Sequence, residues 1–224
     1  MSAIPLHQAN PYRARTRRLL PVVAATLSLL VASSGCSNDG ADANGTGDTL
    51  VSGPLCHALP SGSEPGNPAS LVNEPADVAL QWIPVLYRFE SAVRAAEMDG
   101  ELRAAKGLTI LAPTDDAFAA KFSDDTIDEL FTSRVDDLRR LLRSHMVEGT
   151  MSVRELVDAG SVTTLAGSSL KISRAGEMAR IDDGDDTAET VCADYRVGNA
   201  RIHVIDKVLG DLPTDPLEER HQSH

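Results

Sequence analysis

Aromatic residues make up only 4% of the 224-residue chain, with a single Trp. Neither a stacking platform for bases nor an aromatic-lined sugar groove is therefore expected. Basic residues are outnumbered as well: 21 Lys and Arg stand against 33 Asp and Glu, a formal net charge of −12 and a pI near 4.8. A phosphate-tracking surface needs clustered cations, so nucleic acid is excluded as a partner. Three Cys are too few for a disulfide-dense miniprotein and too scattered for a four-ligand zinc site. A run long enough to cross a bilayer is missing too. The longest uncharged stretch with apolar character at the N-terminus, Leu19 to Ala32, has fourteen residues. As a helix it would span about 21 Å, short of a hydrocarbon core of about 30 Å. What is present is ordinary for a globular protein, 42% apolar and 24% charged, at a length that suits one domain or two small ones.

The N-terminus reads as an address. Arg13, Arg15, Arg17 and Arg18 form a basic region with no acidic residue before Asp39, and the apolar run after them ends in Ser33-Ser34-Gly35-Cys36. Residues 1–35 are accordingly a lipoprotein-type signal peptide and stand outside the fold. Thr16-Arg17-Arg18-Leu19-Leu20 partly matches a twin-arginine signal, too loosely to choose between export routes. Small residues before a Cys resemble a bacterial lipobox, with a departure at Ser33, where an aliphatic residue is usual. The resemblance implies a lipidated Cys36 as the first residue of the mature chain. That chain keeps 17 basic and 33 acidic residues and is anchored outside the cytoplasm; the alternative is a secreted protein. Residues 36–53, rich in Gly, Asp, Asn, Ser and Thr, cannot build a core and read as a flexible tether. The Asn44-Gly45-Thr46 sequon inside it is taken as chance. With Cys36 lipidated, Cys56 and Cys192 remain as an even pair in an oxidising compartment, which favours a disulfide over two free thiols.

From about Leu71 helical and strand patterns appear. Leu86, Phe89 and Val93 recur at helical spacing after Pro84, and Leu108 to Leu111 is a short β-rich run ending at Ala112-Pro113. Thr114 or Asp115 then caps a helix with Ala117 and Phe118, and Ser123 opens another with Ile127, Leu130 and Phe131. Val135, Leu138, Leu141 and Leu142 make a third stripe, with His145 on the same face. Ser152-Val153-Arg154-Glu155 is a capping box for a helix ending near Gly160. Everything beyond is β: 162–165, 170–173, 178–182, 191–197 and 201–208. In the last, Ile202 and Val204 share one face while Arg201 and His203 take the other.

Three segments carry a family resemblance. Thr109-Ile110-Leu111-Ala112-Pro113-Thr114-Asp115-Asp116-Ala117-Phe118 resembles the first signature of the fasciclin domain. His145 closing a Leu-rich helix resembles its middle signature, and Asn199-Ala200-Arg201-Ile202-His203-Val204-Ile205-Asp206-Lys207-Val208-Leu209 its last. The match runs from Leu71 to Gly210, one complete domain, and is most similar to the single-domain secreted or lipid-anchored bacterial members of mycobacterial type. In those a Cys ahead of the domain pairs with one in a late strand, as Cys56 and Cys192 would. The resemblance implies an α+β fold, helices against a small wedge of two β-sheets, occupying residues 54–212; the polar residues 213–224, with Pro213 and Pro216, read as a disordered tail. The resemblance also implies adhesion or extracellular binding at the cell surface without enzyme activity or a cofactor. Ser144 stands where animal members carry a Tyr associated with integrin binding, and Arg-Gly-Asp is missing, so integrin adhesion does not carry over.

Bland readings win at most single residues. His145, the candidate interaction residue, sits on an apolar stripe and reads better as a buried structural His. Thr114 and Asp115 suit a helix N-terminus as well as a ligand. Asp182-Asp183-Gly184-Asp185-Asp186 lacks calcium-loop spacing and reads as a turn, and His221 and His224 fall on the tail, so no metal is expected. Serine residues without a G-x-S-x-G elbow leave no visible nucleophile. The expected function is a lipid-anchored, non-enzymatic head that binds a cell-surface protein, wall polymer or matrix glycan. The alternative is a carrier of a small apolar ligand, a lipid or carotenoid.

Overall fold

The computed structural model describes residues 51–212. The signal peptide over 1–35, Cys36, the tether up to residue 50 and the tail over 213–224, with His221 and His224, lie outside the described residues. Short helices come first: α1 (Pro68–Leu71), α2 (Ala76–Leu80), α3 (Tyr87–Ala95) and α4 (Asp99–Ala104). A central strand β1 (Leu108–Pro113) leads to α5 (Asp115–Lys121), α6 (Asp124–Thr132) and α7 (Val135–Ser144). After β2 (Met146–Glu148) and α8 (Val153–Ala159) come β3 (Ser161–Thr163), β4 (Ser169–Ala175), β5 (Met178–Asp182), β6 (Thr187–Arg196) and β7 (Ala200–Ile205).

Local chemistry fixes several boundaries. Thr114, Ser123 and Ser152 each accept a backbone N–H in the first turn of α5, α6 and α8, and Ser152 with Glu155 completes a capping box. Gly160 ends α8 in the left-handed conformation that glycine adopts without strain. Alternation of buried and exposed residues along β4 marks a strand with one wet face.

The strands run in the order β2-β1-β7-β6-β5-β4-β3, antiparallel except for the parallel β1–β7 pair. The long β6 joins the two halves: Thr187–Glu189 pair with β5, and Thr190–Arg196 pair with β7 across two register shifts that bend the strand. Beyond β3, Thr164 bridges Val147 of β2, and the Leu165 N–H donates to the Met146 carbonyl at 2.7 Å. The sheet thus wraps back on itself, and its outermost strands cover each other instead of presenting open edges.

Two cores follow. The larger lies between the helices and one face of β1 and β7, around Phe89, Phe118, Ile110, Ile202 and Val204. The smaller sits inside the wrapped sheet under α8, around Leu111, Leu156, Ile172, Ile181 and Ile205. β7 therefore has both faces covered. Ile202 and Val204 enter the larger core, and His203 on the opposite face is fully buried as well.

The tether boundary also moves. Val51–Gly53 were expected to end the tether at residue 53, yet Ser52 and Ala193 of β6 exchange backbone hydrogen bonds at 3.1 and 2.7 Å. The domain therefore begins by residue 51. Gly53 permits this approach. It has φ of +137°, and a Cβ there would lie 2.4 Å from the Val191 carbonyl oxygen. Three residues later Cys56 is bonded to Cys192, 136 positions away, with Cα atoms 5.0 Å apart.

Candidate functional site

The Leu138, Leu141 and Leu142 stripe draws α7 into the larger core and sets His145 at its C-terminal end, 1% exposed. The Leu209 N–H donates to His145 Nε2 at 2.9 Å, so Nε2 carries a lone pair. The proton is then on Nδ1, which donates to the Leu141 carbonyl at 2.8 Å. Burial pushes the His145 pKa down to about 4, against the opposing pull of the Leu141 carbonyl and with help from the Lys121 charge. The ring is neutral at pH 7, edge-on to Phe89 with centroids 6.3 Å apart.

Leu209 belongs to the segment that leaves β7, and its backbone groups need partners that no neighbouring strand supplies. Side chains supply them. The Gly210 N–H donates to Asp183 Oδ2 at 2.6 Å. Lys121 Nζ donates to the carbonyls of Val208 at 3.2 Å and Gly210 at 2.7 Å, and to Asp186 Oδ2 at 2.7 Å. Asp183 Oδ1 in turn accepts the N–H groups of Asp185 and Asp186 at 3.0 and 2.7 Å. Burial alone would raise the Asp183 pKa, but those three N–H donors and the Lys121 ammonium outweigh it and hold the carboxyl below its usual value. His145 from α7, Lys121 from α5 and Asp183 from the β5–β6 turn thus grip one backbone segment.

Two hollows flank that segment. One of about 310 Å³ is bordered by Arg140, Ser144, Ser168, Leu170 and Asp183; the other, about 590 Å³, by Ala117, Lys121, Asp186 and Lys207. They share Asp185, Gly210, Asp211 and Leu212 as their dividing wall. The hollows are of ligand size, and their rims carry both signs of charge.

The other sequence-derived candidates lie elsewhere. Thr114 Oγ1 accepts the Ala117 N–H at 3.1 Å as the cap of α5. Asp115 Oδ1 accepts the Arg88 N–H at 2.6 Å, so one carboxylate begins α5 and also satisfies the first turn of α3. His145, Thr114 and Asp115 therefore serve separate elements and do not converge on one ligand. In the acidic turn, Asp182 accepts the Gly184 N–H at 2.8 Å, and Asp183 and Asp186 are engaged as described.

His203 is held at both nitrogens: Nε2 donates to the Met151 carbonyl at 2.8 Å and Nδ1 accepts the Asp194 N–H at 3.2 Å. Asp194, at φ +67°, occupies the bulge of β6 and accepts the Val153 N–H at 3.1 Å. Asn199 is a further residue that single-residue reasoning passed over. Its Oδ1 accepts the Ala76 N–H at 2.9 Å and its Nδ2 donates to the Leu102 and Ala105 carbonyls at 2.7 and 3.0 Å, which locks α2 and α4 to the turn before β7.

A sheet wrapped around its own core, helices over one face, and titratable groups spent on holding backbone define an α+β domain; among the described residues no helix is long and apolar enough to cross a membrane. The chain belongs to the fasciclin domain family, whose model matches residues 84–212. Protein sll1483 of Synechocystis sp. is 34% identical over 119 residues, covering 53% of this chain and 63% of that protein. The chain therefore spans under two thirds of that relative's length. The uncharacterized protein sll1735 of the same organism is 32% identical over 119 residues, covering 53% of this chain and 84% of its own. A FAS1 domain pair from the insect cell adhesion molecule fasciclin I has the same fold, with a TM-score of 0.54 at 16% identity, over 61% of this chain and 51% of that one.

Proposed function

We propose that this protein is a non-enzymatic binding head, anchored outside the cytoplasm through lipid on Cys36, that engages a surface protein, a wall polymer or a matrix glycan. The observation that carries the reading is how the chemistry-bearing side chains are employed. His145, His203, Asp183 and Lys121 each bond backbone groups, so they act as fasteners that give a rigid surface. The Cys56–Cys192 bridge supports an oxidising location. The adhesion role named for the structurally similar insect molecule supports the binding class by fold analogy.

A single acidic head gives weak contacts, so adhesion relies on many copies displayed together. The test is retention of purified cell-wall and matrix fractions on beads carrying the protein at low and at high density. Retention that rises steeply with density is expected, and none at any density would sink the adhesion reading. The alternative, a small apolar ligand, is favoured by one observation only: Leu141, Leu170, Leu209 and Leu212 line the 310 Å³ hollow. Lipid or pigment extracted from protein purified without detergent would promote it.

A further inference from the structure

In a chain where 24% of residues are charged, the stretch from Val51 to Leu86 contains only Glu64, Glu74 and Asp77, and Asp77 is buried. No Lys or Arg occurs there before Arg88. Trp82 within this charge-poor stretch and Tyr87 directly after it are the exposed large aromatic side chains among the described residues. Trp82, the only Trp, is 48% exposed and Tyr87 is 68% exposed, whereas Phe89, Phe118 and Tyr195 are almost wholly buried. Tyr87 follows a 3₁₀ turn over Pro84–Leu86 and opens α3. Pro84 in turn borders a shallow hollow with Pro60, Glu64 and Pro65. The backbone at Gly66 lies so close to Trp82 that an added Cβ would sit 2.9 Å from the Trp82 Cβ. Tyr195 of β6 holds that segment from inside by donating its hydroxyl to the Gly66 carbonyl at 2.5 Å. The result is a fixed, charge-poor ridge of proline and aromatic side chains.

We propose that this ridge rests on the headgroup region of a neutral lipid bilayer, with Trp82 and Tyr87 as its interfacial contacts. The inference builds on the Cys36 anchor proposed above. Only fourteen residues lie between Cys36 and Val51, a reach of at most about 50 Å when fully extended. The chain that enters at Val51 runs within fifteen positions to the Gly66 contact with Trp82. A head held this near the membrane meets it at high local concentration, so a weak patch suffices. Trp and Tyr rings settle at headgroup depth because one end is apolar and the other polar. The remainder of the head, rich in carboxylates, is better kept in water, and the charge-poor stretch turns to the lipid.

Trp82 is its own reporter. The full chain is coupled through Cys36, the one thiol left by the Cys56–Cys192 bridge, to a maleimide lipid in phosphatidylcholine vesicles that carry brominated acyl chains. Protein purified from its native membranes is reconstituted in parallel. A blue-shifted, bromine-quenched Trp82 emission is expected, lost in Tyr87→Asp and retained in Leu165→Asp, which alters an exposed Leu elsewhere. An unshifted and unquenched spectrum in the coupled chain would overturn the docking whether or not the native protein carries lipid. Failure of the native protein to float with vesicles would count against the anchor alone. A blue shift that appears without vesicles as protein concentration rises would make the ridge a self-association surface and overturn the proposal.

Discussion

Acidification attacks the grip on residues 208–210 from two sides, and the sign follows from the tautomers. His145 is neutral in the fold because its Nε2 accepts the Leu209 N–H. Its pKa falls from 6.5 in the unfolded chain to about 4 in the folded one. The unfolded state therefore binds the proton first. Stability linked to this residue is complete above pH 6.5 and drains away as pH falls towards 4. The difference amounts to about 3 kcal/mol, at about 1.4 kcal/mol per pH unit of displacement. His203, also buried and shifted down, with burial as the first cause, loses stability in the same direction. Asp183 acts in a lower window. Its folded pKa lies below the ordinary 3.8, so its contribution persists above that value and is lost as pH drops through the folded pKa. Urea unfolding followed by circular dichroism at fixed pH values from 7.5 to 3.5 measures the slope. His145→Gln isolates the residue, since an amide offers an acceptor to Leu209 and a donor to Leu141 but takes up no proton. The variant is expected to start about 1–2 kcal/mol lower at neutral pH, the cost of imperfect buried hydrogen bonds. Between pH 6.5 and 4 it should fall less steeply than the wild type. Equal slopes in the two proteins would refute the assignment of His145 as the neutral fastener.

Other perturbations separate the remaining fasteners. Lys121→Met removes the ammonium from the Val208 and Gly210 carbonyls and is expected to cost about 1–3 kcal/mol. Hydrogen exchange at the Leu209 and Gly210 amides should accelerate with it, whereas unchanged protection would place the hold elsewhere. Thr114→Ala should lower stability by about 1 kcal/mol through loss of the α5 cap, read by urea midpoint, with Thr114→Ser restoring most of it. Reduction of the Cys56–Cys192 bridge frees a long loop and should cost up to about 5 kcal/mol in the chain-entropy account. A melting temperature indifferent to reductant would show the bridge to be energetically idle.

What the sequence makes legible here is local. The caps Thr114, Ser123 and Ser152 announce α5, α6 and α8, because a hydroxyl three residues from the N–H it accepts is written in the sequence itself. The Leu-rich stripe of α7 delivers His145 to the core for the same reason. The four-residue α1, the five-residue α2 and the three-residue β2 are too short to display a period. α2 and α4 are held in part by Asn199, whose partners lie 94 to 123 residues away. The burial of His203 was not legible, because alternation marks which residues share a face, not whether that face is wet. Its strand lies between β1 and β6, and the imidazole enters the interior only because Met151 and Asp194 satisfy both nitrogens. Asp183 and Lys121 were equally illegible as a pair. They meet through a backbone segment late in the chain, and a run of carboxylates does not reveal which of them faces inward.

The central claim, a disulfide-locked head held to a membrane through Cys36, is tested most directly by a native mass spectrum of protein extracted in detergent from its own membranes, with and without reductant. The account predicts a mature chain beginning at Cys36, carrying acyl groups and gaining the mass of two hydrogens on reduction. An unmodified chain recovered from the soluble fraction would contradict it.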